Sequence, residues 1–116
     1  MKFTAGPLGA RTLAASRYLR EYEFGVLLPP EKLLGGPETG EQILVNGVID
    51  LLLFEPEGIT IIDFKTDRVK SGEAAAAAEK HRFQLEIYAQ AAAEIFGLPV
   101  RDRIVFFLRT GEWALV

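Results

Sequence analysis

Asp50 and Asp63 each interrupt a run of residues that otherwise asks to be buried. Asp50 stands in Val48-Ile49-Asp50-Leu51-Leu52-Leu53, and Asp63 in Thr60-Ile61-Ile62-Asp63-Phe64-Lys65. Carboxylates are almost never fully buried without a partner, so something must compensate both. Side-chain alternation along a strand places Asp63 and Lys65 on one face, roughly 6 to 7 Å apart. The two runs read as the arms of a β-hairpin around Glu55-Pro56-Glu57-Gly58. With Pro56 and Glu57 as the central turn residues, Phe54 faces Ile59 and Asp50 faces Asp63, with Cβ atoms about 4.5 to 5.5 Å apart. A bulge at Gly58 would shift that pairing by one residue.

Two carboxylates so placed repel, and one would take up a proton unless a cation lies between them. A divalent metal meets that need, and two Asp side chains with an open mouth suit Mg2+ or Mn2+ better than zinc. A lysine ammonium beside a metal-activated water can orient or deprotonate it and stabilise charge developing on a phosphate. The chemistry these residue types could perform is phosphodiester hydrolysis. Either Asp alone reads as an edge residue ending its strand in water, with Lys65 as a surface ion pair of little worth. All three at mutually compatible positions favour a site.

The elements that must position them follow from pattern. Gly9 to Arg20 has the spacing of an amphipathic helix, and Glu21 to Leu28 reads as a strand stopped by Pro29-Pro30. Residues 29–41, rich in Pro and Gly, are expected to be a flexible loop. Gln42 to Phe54 and Ile59 to Lys65 are β-branched and apolar on both faces, as central strands are. After a polar loop from Thr66, Ser71 is placed to cap a helix over 73–96, which Gly97 stops. Phe83, Ile87, Ala91 and Ile95 form its expected buried stripe, while Gln84 and Tyr88, four apart, share a face. Arg103 to Arg109 and Glu112 to Val116 suggest a last hairpin turning at Thr110-Gly111. The predicted class is α/β: a mixed central β-sheet with hairpin 42–65, flanked by an N-terminal helix and a long helix 73–96, in one domain over 1–116, residues 1–20 being helix and entry segment.

The 116 residues carry a net charge of −3 and no cysteine. Thiolate-bound zinc and iron–sulfur clusters are therefore excluded within them. The charge opposes nucleic-acid binding, although cations cluster at Lys65, Arg68 and Lys70, at Lys80, His81 and Arg82, and at Arg101 and Arg103. No apolar run approaches the roughly 20 residues that cross a bilayer, and no signal-peptide pattern begins the chain, so a cytoplasmic location is expected.

Three segments together resemble the linked motifs of RecB-type nucleases in the PD-(D/E)XK superfamily: Gly47-Val48-Ile49-Asp50, Ile62-Asp63-Phe64-Lys65-Thr66, and Gln84-Leu85-Glu86-Ile87-Tyr88-Ala89. The resemblance covers about residues 20 to 116, and Arg20-Glu21-Tyr22-Glu23-Phe24 is similar to a strand of the AddA branch of bacterial AddAB helicase–nucleases. It implies a restriction-endonuclease-like core. It also implies Mg2+ (or Mn2+) held by Asp50, Asp63 and the backbone carbonyl of Phe64, with Lys65 as the catalytic lysine. Gln84 and Tyr88 would line the site and contact a DNA end. Glu21 would be an accessory acid, and Arg68 a further DNA contact. The implied function is a metal-dependent DNA exonuclease domain, the C-terminal part of a larger ATP-dependent helicase–nuclease of double-strand break repair and recombination. Its implied partners are DNA and an AddB-like protein, with no membrane. ATP would belong to the helicase part, since no Gly-rich loop ending in Gly-Lys-Ser or Gly-Lys-Thr is present.

The resemblance departs at one point. The family's metal-binding histidine on an upstream helix has no counterpart before Glu21, and the only histidine, His81, suits a solvated or DNA-facing role. Two alternatives follow: a non-catalytic module that binds or docks DNA ends on the same fold, and a structural α/β domain with no site.

Overall fold

A computed structural model describes Phe3 and residues 6–116. Five strands form one sheet in sequence order: β1 Arg17–Leu28, β2 Ile43–Glu55, β3 Gly58–Lys65, β4 Val100–Phe107 and β5 Trp113–Leu115. Neighbours are antiparallel except β3 and β4, which run parallel. A parallel pair needs a crossover, and the helical segments between Ala74 and Phe96 supply it. The sheet is therefore mixed, as the sequence predicts.

The β2–β3 hairpin has the expected register, from Leu51 opposite Ile62 to Glu55 opposite Gly58. Gly58 takes φ of 134°, and a Cβ there would collide with the Pro99 carbonyl, which accepts a 2.8 Å hydrogen bond from the Ile59 amide. Only glycine admits that approach.

Apolar clusters line both faces. Helix α1, Pro7–Ala14, places Leu8 on Leu51, Leu53, Ile62, Ile104 and Phe106. Helix α4, Arg82–Phe96, lays Ala91 and Ala92 on Phe24, Ile49, Leu52, Ile59 and Ile61. Arg11 ties α1 to the sheet: its guanidinium donates to Glu55 at 2.7 Å, to Asp102 at 3.0 Å and to Thr60 at 3.1 Å.

Several expected boundaries move. The N-terminal helix ends at Ala14 rather than Arg20, and β1 begins at Arg17, because β2 offers Phe54, Leu53 and Leu52 as ladder partners to Arg17, Tyr18 and Leu19. Sheet pairing overrides weak helical spacing here. Within the expected loop 29–41, Pro30 opens a short helix α2, Pro30–Leu34. The expected helix 73–96 is three pieces: α3 Ala74–Ala78, a 3-10 turn Glu79–His81, and α4. Ala78 packs with Val69, Leu85, Val105 and Phe107, whereas Ala91 and Ala92 pack over β2 and β3, so one straight axis does not serve both surfaces. Ser71 does not cap α3; the N-cap is Glu73, without a side-chain bond. The turn also rotates the buried stripe, leaving Phe83 55% exposed and Leu85 fully buried. Gly97 ends α4 in the left-handed conformation, as expected. The next strand starts at Val100, not Arg103, where it can run beside Ile59.

Candidate active site

The β2–β3 ladder ends at Leu51–Ile62, one step short of Asp50 and Asp63. The Phe64 amide just beyond it donates to Asp50 Oδ2 at 2.8 Å, so a side-chain carboxylate accepts a bond at the point where the ladder stops. Asp63 is 4% exposed. The Lys65 ammonium lies 2.9 Å from Asp63 Oδ2 and donates to Gln84 Oε1 at 3.0 Å. Gln84 Nε2 donates in turn to the Tyr88 hydroxyl at 3.1 Å. Residues 63, 65, 84 and 88, drawn from β3 and α4, thus form one polar chain, with Asp50 across the hairpin.

Burial raises the Asp63 carboxyl above its ordinary value, against the opposing pull of Lys65, and the nearby Asp50 charge raises it further. The contact from Lys65 to Asp63 Oδ2 is an ion pair without hydrogen-bond directionality, and that oxygen is buried with no hydrogen-bond partner. One ammonium does not balance two neighbouring carboxylates, and that excess of negative charge fits a further cation. Among the described residues no three His, Cys, Asp or Glu side chains converge as a metal cage. A metal there would have the two carboxylates, water and the backbone carbonyl of Phe64 that the family resemblance implies, a donor set suited to a hard cation. Phe64 can offer only its backbone, since its ring packs on the opposite face, edge-on to Phe3 at 5.0 Å and Phe106 at 5.9 Å.

Gly47 explains how Tyr88 comes so close. A Cβ at Gly47 would lie 3.1 Å from the Tyr88 ring and 3.3 Å from Phe24. Phe24 itself meets Tyr88 edge-to-face at 5.5 Å. The glycine that precedes Asp50 by three residues is thus a packing requirement of the tyrosine. Beside this chain an apolar groove of about 530 Å³ runs between α2, the start of β2 and α4, lined by Leu33, Leu44, Phe83, Gln84 and Tyr88 among others.

The remaining candidates are less closely joined. Glu21 is exposed on β1 beside Asp50, with φ of 48°. Arg68 is exposed on the loop after β3, near Val69, Lys70, Arg109 and Thr110, and outside the polar chain. His81 approaches Asp67 at 3.2 Å, and that contact lowers the Asp67 carboxyl below its ordinary value. Tyr18 and Arg20 share a cavity of about 280 Å³ with Asp50 and Phe64, a place the sequence pattern does not give them, although Arg20 opens the Arg20-Glu21-Tyr22-Glu23-Phe24 segment. Placing 9–20 in a helix hides them, whereas the strand-favouring Tyr18, ahead of Tyr22 and Phe24, is the available signal.

This polar chain sits on a mixed α/β core, and the family described as "PD-(D/E)XK nuclease superfamily" matches residues 6–114. The chain belongs to that superfamily, whose members generally use divalent metal ions. Within it, the chain is similar to AddA proteins, the A subunits of ATP-dependent helicase/nucleases. It is 37% identical to that of Desulforudis audaxviator over 97% of this chain, 38% identical to that of Desulforamulus reducens over 95%, and 35% identical to that of Levilactobacillus brevis over 100%. It spans 9%, 9% and 10% of the length of those three relatives. No helix among the described residues is long and apolar enough to cross a membrane.

Proposed function

We propose that these residues act as one nuclease domain, hydrolysing DNA phosphodiester bonds as part of a bacterial, cytoplasmic helicase–nuclease that processes broken DNA ends for repair and recombination. The observation that carries this reading is the buried Oδ2 of Asp63, which lies 2.9 Å from the Lys65 ammonium and across the hairpin from Asp50. Asp50, Asp63 and the Phe64 carbonyl are the proposed ligands of Mg2+ or Mn2+. A bound divalent ion would polarise the phosphate and make an attacking water more acidic.

The chain's own residues do the rest. Lys65, fixed between Asp63 and Gln84, holds its positive charge where negative charge grows on the phosphate, and Gln84 keeps that ammonium oriented. Tyr88 fixes the Gln84 amide. The groove beside them, with the exposed Phe83 ring, offers a stacking surface for bases of an unpaired strand end. Arg68 is a proposed backbone-phosphate contact. The relatives are named as one subunit of an ATP-dependent helicase/nuclease, which supports a second, AddB-like protein as partner and a proposed ATP-using helicase part beyond these residues.

A second reading has its own support. Among the described residues no third His, Cys, Asp or Glu side chain joins Asp50 and Asp63, which suits a module that docks DNA ends without cutting. Incubation with end-labelled single- and double-stranded DNA, with Mg2+ or Mn2+ and with EDTA, separates the two. Metal-dependent cleavage that disappears in Lys65→Ala supports the nuclease. DNA binding with no cleavage under either metal supports the docking module.

A further inference from the structure

On β1, Leu19 packs toward α4 and Arg20 lines the cavity on the α1 side, yet Tyr22 packs toward α4 again. Regular alternation would put Arg20 and Tyr22 on the same face. The partner strand breaks phase at the same level. Ile49 and Leu52 pack under α4, whereas Leu51 and Leu53 pack under α1. Pairs form on both sides of the break, Arg20 with Leu51 and Tyr22 with Ile49, and the skipped position joins Glu21 to Asp50. Glu21 is the one non-glycine with positive φ among the described residues, at 48°. A left-handed backbone at a glutamate is costly and persists only where its surroundings demand it.

We infer that Glu21 is a positioning residue whose left-handed backbone, rather than its carboxylate, sets Asp50 in its metal-binding place. The inference rests on the reading of Asp50 and Asp63 as metal ligands. β2 must leave its regular alternation at Asp50 for the carboxylate to reach the Phe64 amide at the end of the ladder. If β1 stayed extended at Glu21, one strand would fall out of phase. Either Tyr22, Phe24 and Val26 would turn away from α4, or β2 would straighten and draw Asp50 off Phe64. The kink in β1 lets both strands skip together. The side chain of Glu21 is exposed, so its conformation, not its contacts, is what the site uses.

Calorimetric titration of Mn2+ into the parent chain and three variants tests this. Glu21→Gly and Glu21→Asn both accept the left-handed backbone, and their Mn2+ affinity is expected within about twofold of the parent. Glu21→Val resists it, and a weakening of about tenfold or more is expected, the size seen when a metal ligand loses its orientation. Should Glu21→Val not fold, Glu21→Ala takes its place, with a smaller loss in the same direction. Equal loss in the Gly and Val variants would assign the effect to the carboxylate and overturn the inference. Parent-like affinity in the Val variant, or in Ala where Ala stands in for it, would overturn it as well. Asp50→Ala runs beside them: if that variant binds Mn2+ like the parent, the ligand assignment itself fails, whatever the Glu21 series shows.

Discussion

The Lys65 ammonium lies 2.9 Å from the Asp63 carboxylate, and both side chains leave the same face of β3. Lysine at that place opposes the proton uptake that burial favours at Asp63. It also leaves one face of the ammonium to Gln84. Replacing Lys65 by Ala is expected to lower the cleavage rate by at least about 100-fold while metal binding stays within a few-fold, because the charge is used at the phosphate. Single-turnover cleavage and Mn2+ titration of the same preparation check both halves. Parent-like cleavage by Lys65→Ala would remove the lysine from the chemistry.

Tyr88 reaches Lys65 only through Gln84. Tyr88→Phe removes one neutral hydrogen bond and is expected to slow cleavage by about three- to tenfold, matching a loss of roughly 0.5 to 1.5 kcal/mol. Gln84→Ala frees the ammonium itself and should be the more damaging of the two. The reverse order would mean that Tyr88 contacts substrate directly.

Gly47 has room for a hydrogen and little else beneath the Tyr88 ring. Gly47→Val is expected to displace Tyr88 and to lower cleavage at least as much as Tyr88→Phe does. Tyrosine fluorescence and the cleavage rate, read together, separate displacement of the ring from general loss of fold.

The α1 anchor predicts an acid limit to stability. The Glu55 carboxyl is held below its ordinary value of 4.5, first by the hydrogen bond from Arg11, against the effect of burial. Because the folded value is depressed, the stabilisation is present above about pH 4.5 and is lost as pH falls through the lowered value. Urea unfolding between pH 7 and 3 should show stability falling at the acid end, with a shallower fall in Glu55→Gln. Arg11→Met is expected to cost about 2 kcal/mol at neutral pH, less than a fully buried pair because Arg11 is 26% exposed.

Much of the site is legible in the sequence because the signal is local. The Asp63-Phe64-Lys65 spacing and the hairpin register depend on a four-residue turn, and Gln84 and Tyr88 on one helical step. What escapes depends on distant partners. Residues 17–20 look helical until β2 supplies a ladder for them, and the break at Glu79–His81 answers two packing surfaces that no local pattern reveals. Phe83 is misplaced for the same reason: a short turn before α4 rotates the buried face. Glu21 stands out in the sequence only through the resemblance carried by Arg20-Glu21-Tyr22-Glu23-Phe24, whereas its backbone angle is visible only in the folded chain.

The most direct test of the metal site is the melting temperature with and without 10-fold to 1000-fold excess Mn2+ over an expected Kd, a concentration range in which a ligand binding only the native state adds about 1.4 to 4.1 kcal/mol. For a chain of this size each kcal/mol is worth roughly 4 °C. A rise of several degrees is expected in the parent chain, one that disappears in both Asp50→Ala and Asp63→Ala and survives in Lys65→Ala. A parent chain whose melting does not respond to Mn2+ or Mg2+, or a rise that persists without either aspartate, would contradict the assignment.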